Sequence, residues 1–168
     1  DVDARARHVP VGLDARAVAA VKTSVKRVIG GAAYVSAALK ALGEPRPSYK
    51  VAVAGQEYDA RTVIVTRASC YGGPFRLVLN ANLASPALHV VIMQGYGWWS
   101  ALRYGAALVS GRLHCLADVR VVETDSVEIE GPSFDPVQMD GDLMATLPLS
   151  ISIEPQRVLL VTAGHKAR

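Results

Sequence analysis

Asp140-Gly141-Asp142 sets a carboxylate on each side of a glycine, directly after the strand-like Val137-Gln138-Met139 and before Leu143, Met144 and Leu147-Pro148. Taken alone this is a tight turn, because Asp-Gly is among the strongest hairpin signals. A calcium loop is excluded: acidic ligands do not recur at the required loop positions, and no closing Glu follows. The histidines, His8, His89, His114 and His165, are scattered, with no two at the i, i+4 spacing that puts both on one helix face, so no zinc site is expected. Neither a Gly-x-x-x-x-Gly-Lys-Ser/Thr loop nor a Gly-x-Gly-x-x-Gly fingerprint occurs, and with them goes the usual cradle for phosphate. Cys70 and Cys115 have neither metal-ligand spacing nor the density of a secreted disulfide framework. Both are expected as buried, reduced thiols.

Two kinds of element must carry these residues. Over 15–29, Val18, Val21, Val25 and Val28 recur at three- and four-residue steps, which places them on one face of an amphipathic helix ended by Gly30-Gly31. A second helical stretch over 32–42 aligns Val35, Leu39 and Leu42 and stops at Gly43, before Pro45 and Pro47. Together they predict a helical hairpin, with Asp14 as the N-cap of its first helix. Beyond Pro47 the period falls to two. Tyr49, Val51 and Val53 alternate with polar or small neighbours, and Ala54-Gly55-Gln56 turns the chain into a strand over 57–66. Further strands are expected over 75–79, 88–93, 117–123, 127–130, 137–139, 149–153 and 158–161. Trp98, Leu102 and Leu108 have helical spacing over 97–110, predicting one more helix, packed over an open end of the sheets. One or both of Trp98 and Trp99 are then expected to complete the core beneath it, the alternative being a lipid-facing or subunit surface. Many short strands with frequent turns favour an antiparallel β-sandwich or barrel in a single domain over 1–168.

The sequence has 168 residues, 51% hydrophobic and 20% charged, enough for a real core. No apolar run reaches the roughly 18 residues of a membrane-spanning helix, and the N-terminus does not open as a signal peptide, so a cytoplasmic protein is expected. Charge is uneven: residues 1–50 hold nine Lys/Arg against four Asp/Glu, leaving nine against eleven for the rest. The basic early part can meet anionic lipid headgroups at the inner membrane face, another domain, or only water. Nucleic acid is not expected as a partner, since no aromatic-interleaved basic stripe or reading motif accompanies the charge.

Three segments in order then give the turn a context. Val11-Gly12-Leu13-Asp14-Ala15, leading into the basic helix, resembles the Gly-Phe/Leu-Asp-Ala segment of bacterial diacylglycerol kinases and their sphingosine kinase and YegS-like relatives. Residues 61–65 followed by Cys70-Tyr71-Gly72-Gly73-Pro74-Phe75 resemble that family's strand and Tyr-Gly-Gly loop. Pro136-Val137-Gln138-Met139-Asp140-Gly141-Asp142 is close to its hydrophobic-Asp-Gly-Glu turn, with a Leu-Pro pair following. The resemblance implies the C-terminal, lipid-substrate β-sandwich domain of an ATP-dependent lipid kinase. It also implies, as the main partner, an N-terminal ATP-binding domain with a Gly-Gly-Asp-Gly-Thr loop, which this sequence does not contain. On that basis the chain alone is expected to be inactive.

By the same resemblance Asp140 is the general base for the lipid hydroxyl, a diacylglycerol or sphingoid-like alcohol, and Asp142 stands where the family's Glu approaches the nucleotide, one methylene shorter. ATP and Mg²⁺ would be cofactors of the complete enzyme, held mostly by the other domain. Relatives also hold a structural magnesium ion with an Asp-Asp-Gly turn. Here Ser85 replaces the acid and Pro86 the glycine within Asn80-Ala81-Asn82-Leu83-Ala84-Ser85-Pro86, so no metal site is expected in this chain. For Tyr71-Gly72-Gly73 two readings stand: a close backbone approach to the substrate cleft, or a loop joining two strands. Three functional classes follow: a kinase domain, a non-catalytic lipid-binding module on the same scaffold, and a structural domain that forms a homodimer.

Overall fold

The computed structural model describes residues 8–11, 47–71, 75–82, 85–133, 135–139 and 142–153. These form a mainly antiparallel β fold with one α-helix. The helical hairpin expected over 15–42, Asp14, and the strand over 158–161 lie outside the described residues.

Twelve strands are described: β1 His8–Val11, β2 Tyr49–Val53, β3 Gln56–Ala60, β4 Thr62–Thr66, β5 Cys70–Tyr71, β6 Phe75–Arg76, β7 Leu88–Met93, β8 Val119–Thr124, β9 Ser126–Glu130, β10 Pro136–Met139, β11 Asp142–Thr146 and β12 Leu149–Ser152. One sheet runs β11-β10-β1-β4-β7-β8, a second β12-β9-β2-β3, and β5-β6 is a small ribbon. Side chains on a strand point alternately to the two faces of its sheet. In the four-stranded sheet that alternation is clean: Tyr49, Val51 and Val53 of β2, Val127 and Ile129 of β9, and Leu149 and Ile151 of β12 are buried, with exposed residues between them. They meet Val9 and Val11, Val63 and Val65, and Leu88, Val90 and Ile92 of the six-stranded sheet in one core. β4 and β7 are buried at every position. Their second face packs under the helix α1, Gly97–Val109: Ile64, Val91 and Met93 join Leu77, Val78, Ala107, Leu113 and Val119 in a second core.

The expected strand over 57–66 is two strands in different sheets. Ala54 and Gly55 both have positive φ (50° and 73°), the turn that suits a two-residue hairpin and that pairs β2 with β3. At Arg61 the chain leaves that sheet; the Arg61 amide donates to the Met93 carbonyl at 2.8 Å and starts β4 in the other. The strand expected over 75–79 is only β6, because Leu77 and Val78 turn their amides to Ser69 O and their side chains into the second core.

Helix α1 covers a face of the six-stranded sheet, not an open end. Gly97 starts it at φ +82°, and Gly111 at φ +68° stops it: the Arg112 amide donates to Ala107 O and the Gly111 amide to Leu108 O, the Schellman pairing. Its first turn has no acidic residue and its last no basic one, so packing and not the helix dipole holds it. The packing phase also corrects the expectation for the tryptophans. Residues 97, 100, 101, 104, 107 and 108 turn toward the sheet, which leaves Trp98 45% and Trp99 80% exposed. Cys115 is likewise exposed and Cys70 half-buried; Cys115 ends a single 3₁₀ turn, Leu113–Cys115, of which only Leu113 reaches inward.

Candidate functional site

Asp140 and Gly141 lie outside the described residues; the strands that flank them do not. β10 and β11 pair Pro136 with Thr146 and Val137 with Ala145, then slip by one residue, so that Gln138 faces Leu143 and Met139 faces Asp142. Such a bulge sharpens the local twist and re-aims the residues beyond it. Asp142 is therefore placed as the first residue of β11, opposite the last of β10. β10 runs antiparallel to β1 from the pair Val11 and Val137, so its Met139 end points toward the His8 end of β1. That end of the sheet carries the pairs His8 with Thr66, Thr66 with His89, and His89 with Glu123.

The other end of β10 is anchored in the core. The Tyr49 hydroxyl donates to Asp135 Oδ2 at 2.5 Å, with both residues buried. Asp135 O accepts from the Leu147 amide, which closes the root of the hairpin where β11 leaves it. Gly131 is required beside this anchor: a Cβ there would stand 2.7 Å from both Tyr49 Cδ1 and Leu147 Cδ1. The buried tyrosine thus fixes the base of the hairpin whose tip holds the candidate carboxylate.

At the hairpin end of the sheet the chain leaving β4 is tied down by side chains. Thr66 Oγ1 accepts from the Ala68 amide at 3.0 Å and donates to Ala68 O at 3.1 Å, turning the chain off the strand. Arg67 Nη2 donates to Ser85 O at 3.0 Å, and the Ser85 amide donates to Asn82 O. The Arg67 guanidinium thus holds the backbone of this loop. Among the described residues no cluster of three or more His, Cys, Asp or Glu could hold a metal ion. Tyr71 pairs with Phe75 and packs against the second core, which supports the strand-joining reading of its loop. The close-approach reading falls on residues 72–74, outside the described set. Thr66 and His89 are buried at this end, on the face of the sheet that Ile64 and Val91 also occupy.

The opposite end is polar in a different way. A cleft of about 280 Å³ is lined by Ser48, Asp59, Ala60, Arg61 and Gln94. Nearby, Asp118 Oδ2 accepts from the Tyr104 hydroxyl at 2.5 Å and from Arg103 Nη2, while the Gly95 amide donates to the Tyr104 oxygen at 2.8 Å. Burial above all, then the bond donated to Asp118, pushes the Tyr104 phenol up to about 12. These bonds clasp α1 to Gly95, just before it, and to Asp118, just ahead of β8. Neither Tyr49 with Asp135 nor Tyr104 with Asp118 is foreseen by motif, because each pair joins segments distant in sequence.

The family described as the YegS C-terminal NAD kinase β-sandwich-like domain matches residues 7–162. Among solved structures, a candidate diacylglycerol kinase from Bacillus anthracis str. Sterne superposes with a TM-score of 0.63 at 19% identity over 88% of this chain and 50% of its own. A second candidate diacylglycerol kinase structure from that organism gives 0.64 at 17% identity over 89% and 50%. A third, described as a diacylglycerol kinase, gives 0.60 at 19% over 87% and 48%. At these identities the likeness is one of fold, and the chain spans about half the length of each. No curated protein matches it. With a match running from β1 past β12, the chain belongs to the family of YegS C-terminal NAD kinase β-sandwich-like domains.

Proposed function

We propose that this domain presents a lipid hydroxyl to ATP in a lipid kinase, with Asp140 as the general base. The family match over 7–162 carries the reading, and the bulged hairpin, rooted by Tyr49 and Asp135, supports it by offering a rigid mount for the turn. Bound ATP supplies the γ-phosphoryl group. The Asp140 carboxylate accepts the alcohol proton as the alkoxide oxygen forms its bond to phosphorus and the bond to ADP breaks. Asp142, two residues on, faces the nucleotide. ATP and Mg²⁺ are assigned mainly to a separate nucleotide-binding domain that carries the Gly-Gly-Asp-Gly-Thr segment, which does not occur here. The substrate is diacylglycerol or a sphingoid-like alcohol.

The test is Asp140→Asn in the native-length protein, assayed with radiolabelled ATP and diacylglycerol in detergent micelles. Loss of roughly 10²–10⁴-fold in turnover at an unchanged unfolding midpoint is expected for a lost general base. Activity within a few-fold of wild type sinks the assignment.

One observation favours a second reading, a lipid-binding module without catalysis. Ser85 stands in place of the family's acid, and its loop is held by Arg67. Lipid binding by the native-length protein with no phosphoryl transfer supports that reading over the first.

A further inference from the structure

A helix lying on a sheet in water ordinarily turns charged residues outward. α1 has a single charged residue, Arg103, and its outward stripe carries Trp98, Trp99, Leu102 and Val109, all exposed; Tyr96, just before the helix, is exposed too, with the Arg61 guanidinium over its ring. Singly, exposed apolar side chains are ordinary; four on one stripe mark a surface that something apolar covers.

The charges around the stripe say what kind of surface that is. Between residues 94 and 118 there is no Glu and a single Asp, Asp118, which Arg103 and Tyr104 already engage. Arg112, just past the helix, and Arg76 on β6, against which the helix packs, are exposed, and Arg103 is half exposed. Apolar side chains flanked by Arg76 and Arg112, with the one nearby carboxylate, Asp118, held by Arg103 and Tyr104, match the boundary of a bilayer: Trp and Tyr settle at headgroup depth, and arginines reach lipid phosphates along their own apolar stems. A second copy is a poorer match: a two-fold interface must complement itself, and apart from the engaged Asp118 this surface carries arginines with no carboxylate to meet them.

We infer that the exposed stripe of α1 is the surface by which the protein settles on an anionic phospholipid bilayer. The reason for meeting a bilayer rests on the lipid-kinase reading; the exposure and charge of the stripe stand without it.

The test is co-sedimentation of native-length protein with vesicles of phosphatidylcholine, with and without phosphatidylglycerol. Binding to the anionic vesicles, weakened by added salt, is expected. Trp99→Ser, at an exposed position that does not alter folding, should reduce it roughly ten- to a hundred-fold, the loss of one buried aromatic side chain. Arg112→Glu should reduce binding only where phosphatidylglycerol is present. Equal binding by wild type and Trp99→Ser, or no binding at low salt, overturns the inference. So does a lipid-free dimer that Trp99→Ser converts to monomer, since the stripe is then a subunit contact. Phosphorylation of diacylglycerol in micelles, measured alongside, separates the two readings: activity without vesicle binding removes the docking surface alone, and vesicle binding without activity removes the kinase alone.

Discussion

The two sheets draw on the same residue types, yet only one of them alternates. β2, β9 and β12 of the four-stranded sheet bury every second residue and leave the rest in water, whereas β4 and β7, central in the six-stranded sheet, bury all of theirs. The difference lies in what covers the second face. α1 and the Leu77-Val78 segment lie on the six-stranded sheet, and the outward face of the four-stranded sheet meets solvent. A one-sided sheet writes its register into the sequence as a period of two; a two-sided one writes only a short apolar run. Both proposed sites belong to the six-stranded sheet. The carboxylate-bearing hairpin extends the six-stranded sheet at one edge, and the aromatic stripe is carried by the helix that makes that sheet two-sided.

The sharpest way to break the comparison is to put one residue type on both outward faces. Val91 of β7, fully buried on the face beneath α1, becomes an unpaired buried charge in Val91→Lys, and a loss of about 4 kcal/mol or more, enough to prevent folding, is expected. Ala52→Lys, on the exposed face of β2, lies opposite Glu57 and Glu128, and unfolding in urea should show a change of about 0.2–1 kcal/mol in the stabilising direction. Comparable losses at the two positions remove the distinction between a wet and a covered face.

A middle-sized effect tests the link between core and hairpin. Tyr49→Phe keeps the ring in the shared core and removes the hydroxyl that donates to buried Asp135. The expected cost is about 1.5–3 kcal/mol, the usual worth of a hydrogen bond to a charged group, with faster amide exchange at Leu147, whose partner is Asp135 O. Unchanged stability means the pair does not root the hairpin.

The same distinction decides how much of the fold and site was legible. Tyr49, Val51 and Val53 announced β2 by alternation, and Leu88 to Met93 announced β7 as an apolar run bounded by turn residues. The break at Arg61 left no local mark, because the residues on both sides favour strand and only the Met93 carbonyl, far along the chain, decides which sheet each joins. The hairpin around Asp140 was readable from Val137-Gln138-Met139 and the Asp-Gly after it. Its place beside β1 and its anchor on Tyr49, 86 residues before Asp135, were not. The helix over 97–109 was readable too, but its phase was not. Large apolar side chains suggested that Trp98 and Leu102 face inward; small Ala107 and the Tyr104 hydroxyl, bonded to Asp118 and Gly95, set the rotation instead.

That rotation can be tested by pH, with the smallest effect of the set. The Tyr104 phenol is pushed up to about 12 from an ordinary value of 10, by burial first and by its bond to Asp118 second. Below pH 10 the phenol is protonated in the folded and unfolded chains alike, and the stabilisation is fully present. Between pH 10 and 12 the unfolded chain releases this proton while the folded one keeps it, so folding stability falls as pH rises. Because Tyr104 is only partly covered, solvent screening keeps the loss modest. Tyr104→Phe should therefore unfold earlier than wild type in urea at pH 9, and the gap between the two should narrow by pH 11. A constant gap across that range means the hydroxyl does not hold α1 in its rotation, and the outward turn of Trp98 and Trp99 then rests on Ala107, Leu108 and the second core alone.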